Sequence, residues 1–171
     1  MDRRFEAEKI LRELQFDFTT FTLDSFLRFV GETKGREIIA TPWDMPPALF
    51  GLWISDGDEP KEYIFYHKNA SIVHQIHIQL HEVSHFLFGH PTLKINRQFI
   101  SEVIVGRASL PFAADLPQLR SPKRTDFDTE AETLANLIQE RVIQDSQLDR
   151  LIHDTSPEEK LANFLRKMSS S

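Results

Sequence analysis

Five consecutive residues, His81-Glu82-Val83-Ser84-His85, constrain this chain more than any other feature. Residues four apart on an α-helix lie one above the other on one face. On a helix, His81 and His85 therefore aim two imidazole nitrogens at one point, which is how an H-E-x-x-H segment holds a metal ion. Glu82 lies about 100° further round, where its carboxylate reaches a water beside the ion rather than the ion itself. The flanking sequence predicts a helix over 71–91, with Gly89 and Pro91 as stop signals. Ile72, Val73, Ile76, Leu80, Val83 and Leu87 form its expected buried side, opposite the histidines. His74 and His77 continue the histidine face, but a mononuclear zinc takes only three protein ligands, so both read as wall residues.

Composition narrows the ligand set. The chain has no cysteine, which excludes a disulfide framework, a thiol nucleophile and a thiolate zinc site, so metal ligands must be His, Asp or Glu. A net charge of −6 argues against a phosphate-backbone binder, and no direct nucleic-acid binding is expected. The N-terminal segment MDRRFEAEKILREL is charged throughout, and no apolar run is long enough to span a bilayer. A cytoplasmic protein with no membrane association is the expectation. At 171 residues the chain suits one domain over 1–171.

Taken in order, residues 3–15 and the segment from Thr22 to Gly35 read as amphipathic helices. Three strand-like runs follow at 37–40, 48–55 and 62–67, separated by TPWDMPP and SDGDEP. They predict a small antiparallel or mixed sheet with Trp53, Ile64 and Phe65 in its core. Residues 92–125 are interrupted by Pro111, Pro117 and Pro122. Their 99–105 part fits a strand or a helix turn, and the whole connection is a candidate lid. A helix is expected over 126–146, capped by Thr125 or Asp126, with Ala131, Leu134, Ala135, Ile138 and Val142 as its buried stripe. Another begins at Ser156-Pro157, and Ser169–Ser171 forms a frayed tail.

A catalytic zinc needs a third protein ligand. The longer H-E-x-x-H-x-x-G-x-x-H pattern fails, because Phe88 and Pro91 occupy its glycine and third-histidine positions. His90 lies five residues after His85, about 140° round from it, where the helix should be ending. The other route is a carboxylate from the 126–146 helix, from Glu130 or Glu132. Each lies about 100° from the centre of the apolar stripe, so helical geometry does not choose between them. Being two residues apart, only one is expected to point into the cleft.

The run HQIHIQLHEVSHFLFGH, followed by Glu132-Thr133-Leu134-Ala135-Asn136, resembles the ImmA/IrrE family of small bacterial metallopeptidases. That family pairs an H-E-[LIV]-x-H helix with a later E-x-x-A-N helix. The resemblance takes in the strand segments FGLWIS and EYIFYH and extends over residues 20–145. It departs at Ser84, where the family has Gly, after Asn136, and in the length of the connection between the motifs.

The resemblance implies a zincin-like α+β domain: N-terminal helices, a small three-stranded sheet, the H-E-x-x-H helix and C-terminal helices. It implies one Zn2+ per chain held by His81, His85 and Glu132, with Glu82 as general base and Asn136 supporting Glu132. The implied activity is a zinc endopeptidase acting on a protein partner, such as a helix-turn-helix repressor or antitoxin of a mobile-element or stress-response system. The rival reading is a degenerate zincin serving as an interaction or sensor module. Tyr63, Tyr66 and His153 are the candidates for stabilising an oxyanion.

Overall fold

A computed structural model describes residues 2–46, 49–110 and 124–153, with side chains of the last helix described from 126 to 146. Helices α1 (Arg3–Leu14) and α2 (Leu23–Lys34) start where the sequence offers caps. Asp2 accepts the Arg4 N–H, and Thr22 and Ser25 exchange side-chain-to-backbone bonds in a capping box. Edge-to-face packing of Phe16 on Phe26, with ring centroids 5.1 Å apart, ties the segment between the helices to α2.

Four strands follow: β1 (Glu37–Trp43), β2 (Gly51–Asp56), β3 (Lys61–His67) and β4 (Leu93–Ile95). Their order is β1-β3-β2-β4, with β2 antiparallel to β3 and the outer pairs parallel. The sheet is thus mixed and four-stranded, where the sequence predicts three strands. The missed strand has only three residues, too few to display a period of two, and its partner Ile54–Asp56 is far away in sequence.

Both faces of the sheet are covered. Leu52, Ile54, Tyr63 and Phe65 point into one core, whereas Ile64 and Trp53 point to the opposite side. All six residues of β2 are consequently buried. Helix α4 (Arg97–Ile104) seals the Tyr63–Phe65 side through Ile100 and Val103. This resolves the 99–105 ambiguity as helix and makes that part of the connection a core element rather than a lid. The remaining part, 111–123, and the helix expected from Ser156 lie outside the described residues.

The other face carries α3 (Ile72–Phe88) and α5 (Arg124–His153). Leu80, Val83 and Leu87 of α3 join Leu134, Ala135 and Ile138 of α5 and Phe26 and Val30 of α2 in one cluster. Each of these side chains larger than alanine contributes about 1.5–3 kcal/mol relative to exposure. The expected stripe of α5 is buried as predicted, with Val142 at its margin. That of α3 needs correction. Ile72 and Val73 are 76% and 75% exposed, because the first turn overhangs the core, and Ile78 and Gln79 are buried instead. Among the described residues no helix is long and apolar enough to cross a membrane.

Candidate metal centre

The α3–α5 contact brings together histidines and carboxylates that are far apart in sequence. Around the fully buried Ala131, α5 presents Asp128 to His85 and Glu132 to His77 and His81. Its other flank presents Phe127 and Glu130 to His90.

The Nε2 atoms of His81 and His85 lie 3.1 Å apart, and Asp128 Oδ1 lies 3.4 Å from His85 Nε2. Ligand atoms bound tetrahedrally to zinc at about 2.0–2.1 Å are separated by about 3.3 Å. These two spacings are compatible with atoms that share one ion. A single proton on His85 Nε2 serves only one of its two neighbours, whereas one cation serves both. One donor atom from each of His81, His85 and Asp128 lies within 4.8 Å of the others. Two imidazoles and a carboxylate form a donor set that fits zinc.

Glu132 stands one helical turn from Asp128 and meets a different nitrogen. Its Oε2 is 3.3 Å from His81 Nδ1 and 3.1 Å from His77 Nε2, and its Oε1 accepts a bond of 3.2 Å from Asn136 Nδ2. The Asn136 contact matches the expectation. A carboxylate on the outer nitrogen of a metal-binding histidine fixes its tautomer and orientation. Burial pushes the Glu132 carboxyl up, but the charge and hydrogen bond of His77, with Asn136 and His81, outweigh it and hold the group below its ordinary value. Burial, reinforced by His85, lowers the pKa of His81 and so favours its neutral imidazole, the form that donates a lone pair to a metal.

Sequence reasoning missed Asp128, which reads there as one more acidic residue near a helix start. The available signal was spacing: Asp128 and Glu132 repeat on α5 the i, i+4 interval of His81 and His85 on α3. Glu130 does not face away as expected. It pairs with His90, Nε2 to Oε2, at 3.0 Å.

Glu82 lines a cleft of ≈ 400 Å³ together with Phe50, Gly51, His77, His81 and Asp128. The general-base candidate thus opens onto one space with His81 and Asp128, and His85 stands behind His81 at 3.1 Å, Nε2 to Nε2. Ser84 is fully buried and donates to the Leu80 carbonyl at 2.7 Å, which accommodates a serine within the helix. Tyr63 lies in the core beneath α4, and Tyr66 lines a separate groove beside Arg36. The His153 side chain is outside the described residues. No protein-family model, curated protein or solved structure matches the chain, so the case for a metal centre rests on its geometry.

Proposed function

We propose that this chain is a zinc-dependent endopeptidase with a zincin-like arrangement of its site. The observation that supports it most is the convergence of His81, His85 and a carboxylate of α5 beside a cleft that also contains Glu82. His81 and His85 would hold the ion through Nε2. The distances favour Asp128 as third ligand, with Glu132 orienting His81 through Nδ1. The second reading keeps Glu132 as the ligand, supported by the likeness of Glu132-Thr133-Leu134-Ala135-Asn136 to E-x-x-A-N.

Bound zinc supplies a Lewis acid and brings the pKa of water toward about 7. Glu82 takes the proton of the water that attacks the peptide carbonyl and delivers it to the departing amine. Metal binding alone has no use for a glutamate at that position, which disfavours a purely structural or sensory role. The β2 edge facing away from β3 pairs with β4 at Ile54–Asp56, and its Trp53 carbonyl accepts from Thr92 Oγ1 at 2.6 Å. Phe50 and Gly51 precede these contacts and line the cleft, where an extended substrate can add as a strand.

The resemblance to ImmA/IrrE proteins points to a regulatory protein as substrate, a helix-turn-helix repressor or antitoxin in the cytoplasm. A casein or repressor cleavage assay tests the reading. Glu82→Gln is expected to retain zinc while losing hydrolysis by on the order of 10²-fold or more. Cleavage that survives both this substitution and a chelator would remove the zinc-peptidase reading.

A further inference from the structure

Gly89 closes α3 at φ 70°, a left-handed conformation that favours glycine. His90 N–H bonds the His85 carbonyl at 3.0 Å and Gly89 N–H bonds the Phe86 carbonyl at 3.1 Å, the paired bonds of a Schellman turn. This turn folds His90 back against the helix it has just left. The residue is 8% exposed, and its ring stacks on Phe88 at 5.1 Å and on Phe127 of α5 at 4.6 Å. Its Nδ1 lies 2.8 Å from Nδ1 of His85, and its Nε2 lies 3.0 Å from Glu130 Oε2. His90 thus connects a histidine of the candidate metal pair to a carboxylate on the neighbouring helix.

Hydrogen-bond chemistry allows one neutral arrangement here once His85 gives its Nε2 lone pair to a cation. His85 then carries its proton on Nδ1 and donates it to His90 Nδ1. A His90 that accepts at Nδ1 is protonated at Nε2, and that N–H donates to Glu130. Both bonds are satisfied together, and the Glu130 charge acts on His85 through the intervening ring. His81 has a carboxylate directly on its own Nδ1, that of Glu132. Each histidine of the pair is therefore backed by an acid of α5, one directly and one through a second imidazole.

We propose that His90 and Glu130 are positioning residues: a relay that fixes the tautomer and ring orientation of His85 and strengthens Nε2 as a metal donor. The proposal rests on the metal reading of His81 and His85. Packing alone explains a histidine between Phe88 and Phe127, but it does not require a carboxylate on the far nitrogen. Outer partners of this kind commonly change metal affinity by about 10–100-fold when removed.

The test is zinc affinity, measured by chelator competition on the full chain, for the parent, Glu130→Gln, His90→Phe and the double variant. Melting of the metal-free proteins and the visible absorption of their Co2+ forms are recorded alongside. Glu130→Gln is expected to lower zinc affinity about 10–100-fold, to shift the Co2+ bands, and to leave metal-free melting unchanged. His90→Phe should show a similar loss, and the double variant should be no worse than the weaker single, because both substitutions break one chain. If His90→Phe does not fold, Glu130→Gln decides alone. Affinity within about threefold of the parent for Glu130→Gln, or losses that add fully in the double variant, overturns the relay. A parent that binds no zinc overturns the metal reading itself, whereas a parent that binds zinc with unaffected variants overturns only the relay.

Discussion

Glu82 occupies the space that a side chain on Gly51 would need. A β-carbon at residue 51 would lie 2.5 Å from Glu82 Oε1 and 2.6 Å from Ile78 Cγ2. Strand β2 therefore passes α3 at a distance only glycine permits, and its backbone forms one wall around the carboxylate. Gly51→Ala should displace Glu82 and Ile78 together. The expected outcome is retained zinc, a stability loss of about 1–3 kcal/mol from overpacking, and a fall in hydrolysis approaching 10²-fold, the cost of misplacing a reacting group by about 1 Å. Zinc content, urea denaturation and kcat of the same preparation check it. A destabilised variant with parental kcat would detach the placement of Glu82 from catalysis.

The two carboxylates of α5 that face the histidines make a divided prediction. If Asp128 shares the ion with the Nε2 atoms while Glu132 braces His81 through Nδ1, their removal has unequal consequences. Glu132→Ala should weaken zinc by about 10–100-fold, the range for an outer-shell partner. Asp128→Ala, which removes a ligand outright, should weaken it further. Competition titrations of both variants against one chelator settle the order. The reverse order returns the third-ligand role to Glu132, in line with the E-x-x-A-N resemblance.

Those parts of the site carried on one helix were legible in sequence. The His81–Glu82–His85 group needs only the α-helical repeat to be placed, and the structure puts His81 and Glu82 on one cleft with His85 Nε2 3.1 Å from His81 Nε2. The buried stripe of α5 was equally readable, because Ala131, Leu134, Ala135 and Ile138 follow that repeat. What depends on two elements meeting was not. Asp128 and Glu130 acquire meaning only when α5 packs on α3, and His90 only when Gly89 turns the chain back. The first turn of α3 shows the same limit. Ile72 and Val73 fit the apolar spacing, but nothing in the described fold covers that end of the helix.

A buried polar cluster under the sheet supplies a third expectation. Glu62 is 2% exposed and accepts bonds from Trp53 Nε1 at 2.7 Å and Ser55 Oγ at 3.0 Å, and it forms an ion pair with Arg36. Trp53 in turn meets Phe86 edge-to-face at 5.7 Å, so the cluster fastens β2 and β3 to the back of α3. Glu62→Ala leaves the Trp53 indole N–H and the Ser55 hydroxyl without this acceptor and the Arg36 guanidinium without its carboxylate, although Arg36 keeps the Lys61 carbonyl at 3.0 Å. Breaking such a pair costs about 3–5 kcal/mol, with the lower end expected because Arg36 keeps some contact with solvent. Urea unfolding monitored by tryptophan fluorescence reads it directly. A loss below about 1 kcal/mol, the size of an ordinary exposed ion pair, would show that the cluster does not hold the sheet to the helix.

The last expectation concerns the approach of the two helices. Ala131 is fully buried and lies between Asp128 and Glu132 on one flank of α5 and Phe127 and Glu130 on the other. Asp128, Glu130 and Glu132, the acids of α5 that meet the histidines, are therefore carried by a helix that docks through a small residue. Ala131→Leu forces the added carbons into a packed contact, at a cost of about 1–3 kcal/mol, and moves α5 away from α3. Because the acids move with the helix, zinc affinity should fall along with stability, beyond the loss seen in either single carboxylate variant. Ala131→Gly makes the useful contrast: it costs about 1 kcal/mol in helix propensity but leaves the interface free to close, so its zinc affinity should remain near the parent's. Melting and chelator competition on both variants check the pair. A leucine variant that is destabilised yet binds zinc like the parent would mean that the metal is held by α3 without help from α5.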